Sequence, residues 1–254
     1  MRTADWTDSV SVLDRITAVF EAFGEQDEGL GVSELARRAN LPKSTVSRIA
    51  ADLVGQQFLD REGDKLFLGV RLFELGQTVE QPRRLRHLAL PVMTDLRNLT
   101  GRTVHLAVLE GEDVVFISVM RGEPALPPVG HAGGRLPAHA TALGKAMLAF
   151  SPPDVVQRVA DGALVRRTPR TVGDAAALQR ELSETRRNGF ASEREECVIG
   201  RACIASPILV HGAVPVAAIS VTGSTEDFDQ DRVVPAVRAA AMTLGRRVGA
   251  GRTP

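Results

Sequence analysis

Three groups of residues in this chain have the types and spacing to do chemistry. The first is Lys43, Ser44, Thr45, Ser47 and Arg48, which share one side of the segment if it is helical. Cations and small hydroxyls on one helix face suit phosphate oxygens and the base edges exposed in a DNA major groove. The second group is the glycine-flanked segment 133–146, which reads Gly-Gly-Arg-Leu-Pro-Ala-His-Ala-Thr-Ala-Leu-Gly-Lys-Ala. Small residues there let a ligand approach backbone N–H groups, and a helix start favours an anionic group. The spacing is not that of a P-loop or a dinucleotide fingerprint, so nucleotide binding is not supported. The third group is segment 193–207, with Glu193 and Cys203, together with Ser220 and Thr222, which alternate onto one face of a strand.

Each group also has a plainer reading. Cys203 lies in an apolar run and is expected to be a small buried hydrophobe rather than a nucleophile. His139, Cys203 and Glu193 lack the spacing of a zinc motif, so neither metal nor cofactor is expected. Arg135 and Arg201 could clamp a carboxylate, but both are read as solvated surface charges.

The DNA-facing residues need a scaffold, and the sequence before and after them supplies one. Val10, Leu13, Ile16, Val19 and Phe20 recur at helical spacing after Ser9, a possible cap, and Gly24 closes the segment. Ser33 is expected to cap a short second helix through Ala39. Asn40 and Leu41 make a corner, and Pro42 is placed at the first position of a third helix ending near Val54. Val46, Ile49 and Leu53 of that helix face inward. Residues 58–61 and 65–68 then read as a strand pair around Glu62, Gly63 and Asp64, with Arg61 and Lys65 flanking the turn. Two helices, a corner and a hairpin make a winged helix-turn-helix.

Charge qualifies that reading without removing it. The net charge is zero, and residues 1–80 carry nine Lys/Arg against fourteen Asp/Glu, a balance of 9 − 14 = −5. Yet residues 35–51 hold Arg37, Arg38, Lys43 and Arg48 and no acid. A basic stripe on an acidic domain fits a specific reader better than an architectural DNA-coating protein, whose affinity grows with the number of phosphates neutralised.

The connector is expected to be helical from Val70, interrupted at Pro82, resumed through Leu85 to Leu96 with a break or kink at Pro91, and finished near Gly101. Apolar residues on more than one face suit packing against a second subunit. From Thr103 the pattern turns to strands, with helices near 143–150, 153–159 and 174–188 and a last helix over 231–248. The expectation is an α+β protein divided as 1–70, a winged helix-turn-helix; 71–100, linker and dimerisation helices; and 101–254, an effector-binding domain. At 254 residues there is room for two cores. The apolar runs are too short to span a bilayer, no signal peptide is evident, and two cysteines make no disulfide framework. A cytoplasmic chain with reduced cysteines is expected.

Five ordered motifs carry a family resemblance over nearly the whole chain. They are Leu-Pro-Lys-Ser-Thr-Val-Ser-Arg, the Phe-Leu-Gly after the hairpin, Leu-Pro-Ala-His-Ala-Thr-Ala-Leu-Gly-Lys-Ala, Gly-x-x-Cys-Ile-Ala-x-Pro and Ala-Ile-Ser-Val-Thr-Gly. On these the chain resembles the IclR family of transcriptional regulators. The resemblance implies a winged-helix reader, a linker helix and a GAF-like α/β effector domain, assembled as a homodimer or a dimer of dimers on a roughly palindromic operator in double-stranded DNA. It implies a small organic effector, a carboxylic acid or aromatic compound, and favours repression over activation. It places the effector against Leu136, His139, Ala140, Thr141, Ala142, Leu143 and Gly144, with Glu193, Cys203, Ser220 and Thr222. One departure is Phe67, where members often carry tyrosine; this chain has none. The competing reading is a cysteine-dependent hydrolase with an accessory DNA-binding domain, which would need a base and an oxyanion site beside Cys203.

Overall fold

The computed structural model describes residues 11–24, 27–122, 127, 129–210 and 214–250, and the chain divides after Glu80 into two compact units. In the first unit, α1 spans Val12–Glu21. Ser11 Oγ accepts the Asp14 N–H and the Asp14 carboxylate accepts the Ser11 N–H, at 3.1 and 2.9 Å. This reciprocal capping box makes Ser11 the cap in place of Ser9; Ser9 and Val10 lie outside the described residues. A two-residue strand, β1 (Leu30–Gly31), leads directly into α2 (Val32–Arg38). Gly31 therefore occupies the cap, and Ser33, expected there, lies inside the first turn. Asn40 turns the corner with φ 52°.

The third helix, α3, spans Lys43–Gly55, one residue later than expected, because Pro42 takes the cap position in an extended conformation. Strands β2 (Leu59–Glu62) and β3 (Lys65–Leu68) form the hairpin, and β3 also pairs with β1. Val19, Leu35, Val46, Leu59 and Leu66 are completely enclosed and form the core of this unit. Phe67 packs on Gly29, where φ is +81° and any Cβ would strike the ring. The aromatic wing residue is thus used for packing. The unit closes with α4 (Val70–Thr78), whose Arg71 guanidinium lies 4.8 Å over the Phe58 ring and donates to the Gln56 carbonyl.

The helical break falls at Val79, whose backbone is extended, and not at Pro82. Pro82 sits in the first turn of α5 (Glu80–Thr100), where a backbone N–H would lack a helical partner anyway. Pro91 is accommodated inside the same helix.

The second unit is built on a six-stranded antiparallel sheet. Its strands are β4 (Thr103–Glu110), β5 (Asp113–Met120), β6 (Arg135–Pro137), β7 (Ala191–Arg194), β8 (Arg201–Leu209) and β9 (Pro215–Ser224), in the spatial order β6-β5-β4-β9-β8-β7. The edge strands β6 and β7 are too short to show alternation in the sequence. Helices α6 (Ala142–Leu148), α7 (Pro153–Asp161) and α8 (Ala175–Asn188) cover one face, burying Phe116, Met147, Leu178 and Ala205. Asp174 caps α8, accepting the Ala177 N–H at 2.8 Å. The other face buries Leu106, Ile204 and Ile219 under Leu85, Ala89 and Met93 of α5 and Val237 and Leu244 of α9 (Gln230–Ala250). A hydrophobic residue at alternate positions therefore goes to each side of β8 and β9, which explains their nearly unbroken apolar character.

The start of α6 is fixed by close backbone approach. A Cβ on Gly144 would collide with the Cα and carbonyl of Ala138 in the short 3₁₀ turn Ala138–Ala140. Gly144→Ala is expected to lower the unfolding free energy by about 1–3 kcal/mol, read as a reduced urea midpoint at unchanged slope; an unchanged midpoint would contradict this close packing.

Candidate nucleic-acid interface and ligand pocket

On α3, Val46, Ile49, Ala50 and Leu53 turn into the core. That leaves Lys43, Ser44, Ser47 and Arg48 exposed and Thr45 half-buried, all five on the outward side. The basic residues of this unit separate into two classes. Arg37 donates twice to Glu34 at 2.6 and 2.9 Å, while Arg38 donates to Glu34 and Asp27 at 2.8 and 2.7 Å. Hydrogen bonds from Arg37 and Arg38 hold the Glu34 carboxyl down at about 2. Lys65 donates to the Glu28 carbonyl at 2.9 Å, which ties the hairpin to the segment before β1. By contrast, among the described residues the side chains of Lys43, Arg48 and Arg61 make no hydrogen bond or ion pair. Their charge is fully available to an outside partner.

The second unit encloses a cavity of about 30 Å³. Leu136, Thr141, Ala142 and Leu143 line it from β6 and the start of α6, and Glu193, Cys203, Ser220 and Thr222 line it from the sheet. The register explains the convergence: Glu193, Cys203 and Thr222 lie side by side across β7, β8 and β9, and Ser220 pairs with His105 of β4. His105 and Phe116 are further wall residues, with ring centroids 5.3 Å apart. Sequence reasoning missed both, although a histidine within the apolar run of β4 is a usable signal. Three residues grouped with the site from the sequence do not line this cavity. His139 turns its Nε2 to the Val165 carbonyl at 3.2 Å, Ala140 is enclosed in the 3₁₀ turn, and Gly144 packs on Ala138.

Arg201 also lines the cavity and is only 7% exposed, so its expected place as a solvated surface charge is corrected. The alternation of β8 puts it on the same face as Cys203. Arg135 does stay at the surface, 3.7 Å from Asp113.

The electrostatics beneath the pocket are unusual for their burial. Lys145, 1% exposed, donates to Glu196 at 2.6 Å and to Glu181 at 2.7 Å. Burial works to lower its pKa, and the two carboxylates more than offset this, so the ammonium form is favoured. Glu193 Oε1 accepts the N–H groups of Glu196 and Cys197 at 2.7 and 3.0 Å, yet burial pushes its carboxyl up to about 7. Burial holds His105 down at about 4, and raises the Cys203 thiol to about 12. Thr222 Oγ1 bridges the two, 3.2 Å from Cys203 Sγ and 3.4 Å from His105 Nδ1. A thiol this far from ionisation supplies no ready thiolate. Among the described residues no group of His, Cys, Asp and Glu is arranged to hold a metal ion.

Comparison with known proteins follows the same division. The family model described as IclR helix-turn-helix domain matches residues 12–63, and the model described as bacterial transcriptional regulator IclR C-terminal matches residues 77–246. The chain is similar to the HTH-type transcriptional regulator KdgR of Escherichia coli K12, 32% identical over 246 residues that cover 96% of this chain and 93% of that protein. It is 30% identical to the transcriptional repressor IclR of the same organism, over 91% of this chain and 86% of that one. A crystal structure of an IclR homolog from Microbacterium hydrocarbonoxydans, complexed with 4-hydroxybenzoate, superposes with a TM-score of 0.86 at 32% identity, covering 95% of this chain and all of that chain.

The raised Glu193 carboxyl makes a signed prediction. Between about pH 4.5, its unperturbed value, and about 7, the folded protein holds a proton that the unfolded chain has lost, so stability falls as pH rises through this window. Glu193→Gln keeps an acceptor for both N–H groups and removes the titration. Denaturation across pH 5 to 8 should show the variant gaining stability relative to the unsubstituted protein, by about 1–3 kcal/mol at the upper end; parallel curves would contradict the buried-acid assignment.

Proposed function

Because the chain belongs to the IclR family of bacterial transcriptional regulators, we propose that its α3 reads a roughly palindromic operator in double-stranded DNA under the control of a small organic effector held in the second unit. The observation that carries the first half is the free charge of Lys43 and Arg48 on a helix face whose other side is core. Ser44, Thr45 and Ser47 lie between them with hydroxyls sized for phosphates or base edges. Arg61 adds a backbone contact from the hairpin, while Arg37, Arg38 and Lys65 contribute with charge already engaged by Glu34, Asp27 and the Glu28 carbonyl.

The effector half rests on the cavity among Leu136, Thr141, Ala142, Leu143, Glu193, Cys203, Ser220 and Thr222. The 4-hydroxybenzoate bound by the Microbacterium relative supports an aromatic or carboxylic ligand here. For such a ligand to act as a switch, it must bind differently to the DNA-competent and DNA-incompetent arrangements. Reading a palindrome needs two copies of α3, and α4 with the residue that ends it offers the means: Val70, Phe73, Leu75 and Val79 are 48–65% exposed in the single chain. A second copy of the same helix covers such a face in a homodimer, or in a dimer of dimers. The repressor among the relatives favours repression as the outcome. The DNA-binding transcriptional regulators among the relatives support a non-enzymatic role in the cytoplasm.

Fluorescence anisotropy on the DNA upstream of the protein's own and neighbouring genes tests the reading. Lys43→Ala and Arg48→Ala should each weaken specific binding about tenfold and lower the salt slope by about one, while Arg37→Ala has a smaller effect. The absence of sequence-selective binding by the unsubstituted protein would overturn the proposal.

A further inference from the structure

Among the described residues Arg201 is a buried cation without an anion. It lines the ligand cavity, and among the described residues its side chain's one hydrogen bond runs from Nη2 to the Pro127 carbonyl oxygen. Among the described residues no carboxylate is placed within ion-pair distance of it. A guanidinium has five donors in a rigid fork and stays protonated in proteins, so most of this one's hydrogen-bonding capacity is unused. Buried charges in folded proteins are otherwise paired.

The rest of the wall narrows what could pair with it. Glu193 is the one acid among the described residues that line the cavity, and its Oε1 is turned to the backbone N–H groups of Glu196 and Cys197. Ser220 is fully enclosed and among the described residues its Oγ has no hydrogen-bond partner. Phe116, Leu136 and Leu143 supply the remaining apolar surface. Among the described residues the lining thus presents one unpaired cation, one unpaired hydroxyl and apolar surface beside them.

We propose that Arg201 selects anionic effectors, receiving the carboxylate of a small acid whose apolar body lies along Phe116 and Leu143 while Ser220 Oγ takes a second polar group. The assignment rests on the reading of this cavity as the effector site. Arginine suits the task because its fork matches a carboxylate with two parallel hydrogen bonds, which a lysine cannot reproduce. Bound acid competes with the Pro127 carbonyl for the Nη2 donor and provides the negative charge that the protein leaves out.

Isothermal titration of the full-length protein with 4-hydroxybenzoate and with 4-hydroxybenzamide at pH 8 tests this directly, since the two probes differ only in the charged end. The acid should bind at least about tenfold more tightly than the amide. Arg201→Gln should bring that ratio close to one, with Arg201→Lys intermediate. Equal affinities in the unsubstituted protein, failure of the acid to bind, or a preference that survives Arg201→Gln would each overturn the assignment. The first two outcomes need no variant, so instability of Arg201→Gln cannot blunt the test. The effector reading fails separately, if no compound in a panel of acids, amides and sugars alters operator affinity. Amides or sugars that alter it while acids do not would sink only the role of Arg201.

Discussion

Lys145 is enclosed on all sides, with Glu196 and Glu181 on its ammonium, and the working geometry of the second unit hangs on that contact. The lysine belongs to α6, whose first residues form one wall of the ligand cavity. Glu196 belongs to the turn between β7 and β8, where the N–H groups of Glu196 and Cys197 hold Glu193 in place. Thr168 and Thr171 fasten the same turn by donating to the Glu195 and Glu196 carbonyls, respectively. Removing one partner of a buried ion pair leaves the other uncompensated, at about 3–5 kcal/mol. The ion pair therefore ties helix α6 to the 193–200 turn, and both sides of the cavity are braced by one charge.

This bracing bears on how a ligand could be sensed. A cavity of about 30 Å³ has room for a water molecule or two, far less than an aromatic acid requires. Admission of such a ligand requires its walls to separate, and close-packed interiors respond to such separation by shifting whole elements rather than by local stretching. The sheet face carrying Ser220, Thr222 and Cys203 backs onto α5 and α9 through the alternate residues Ile204, Ile219 and Val221. A displacement on the pocket side thus meets the helices that cover the other face of the same strands.

Much of this architecture was legible because local rules and tertiary packing agree. The inward set Val46, Ile49 and Leu53 defines the exposed face of α3 from helical period alone, and Asp174 marks the start of α8. Disagreements arise where a neighbouring element decides a local choice. Gly31 displaces Ser33 from the helix cap because β1 runs straight into α2, and Pro82 is absorbed into a first turn that needs no donor. The pocket was only partly readable. Ser220, Thr222, Cys203 and Glu193 stand out as polar residues on strands, whereas His105 and Phe116 join them only through strand pairing that no single segment displays. Arg201 and Lys145 illustrate the strongest limit: a charged residue gives no local sign of burial when its environment comes from elements far along the chain.

Reciprocal linkage between DNA and small ligand is the most direct measurement of a ligand-controlled operator reader. Whatever factor a bound effector changes in the operator affinity, the operator must change in the effector affinity. Titrating an effector into the protein alone and into the protein saturated with its operator should give dissociation constants that differ by at least about fivefold, with the ratio matching that for DNA measured with and without effector. An effector affinity that is the same whether or not operator is bound would contradict the coupling of the two units.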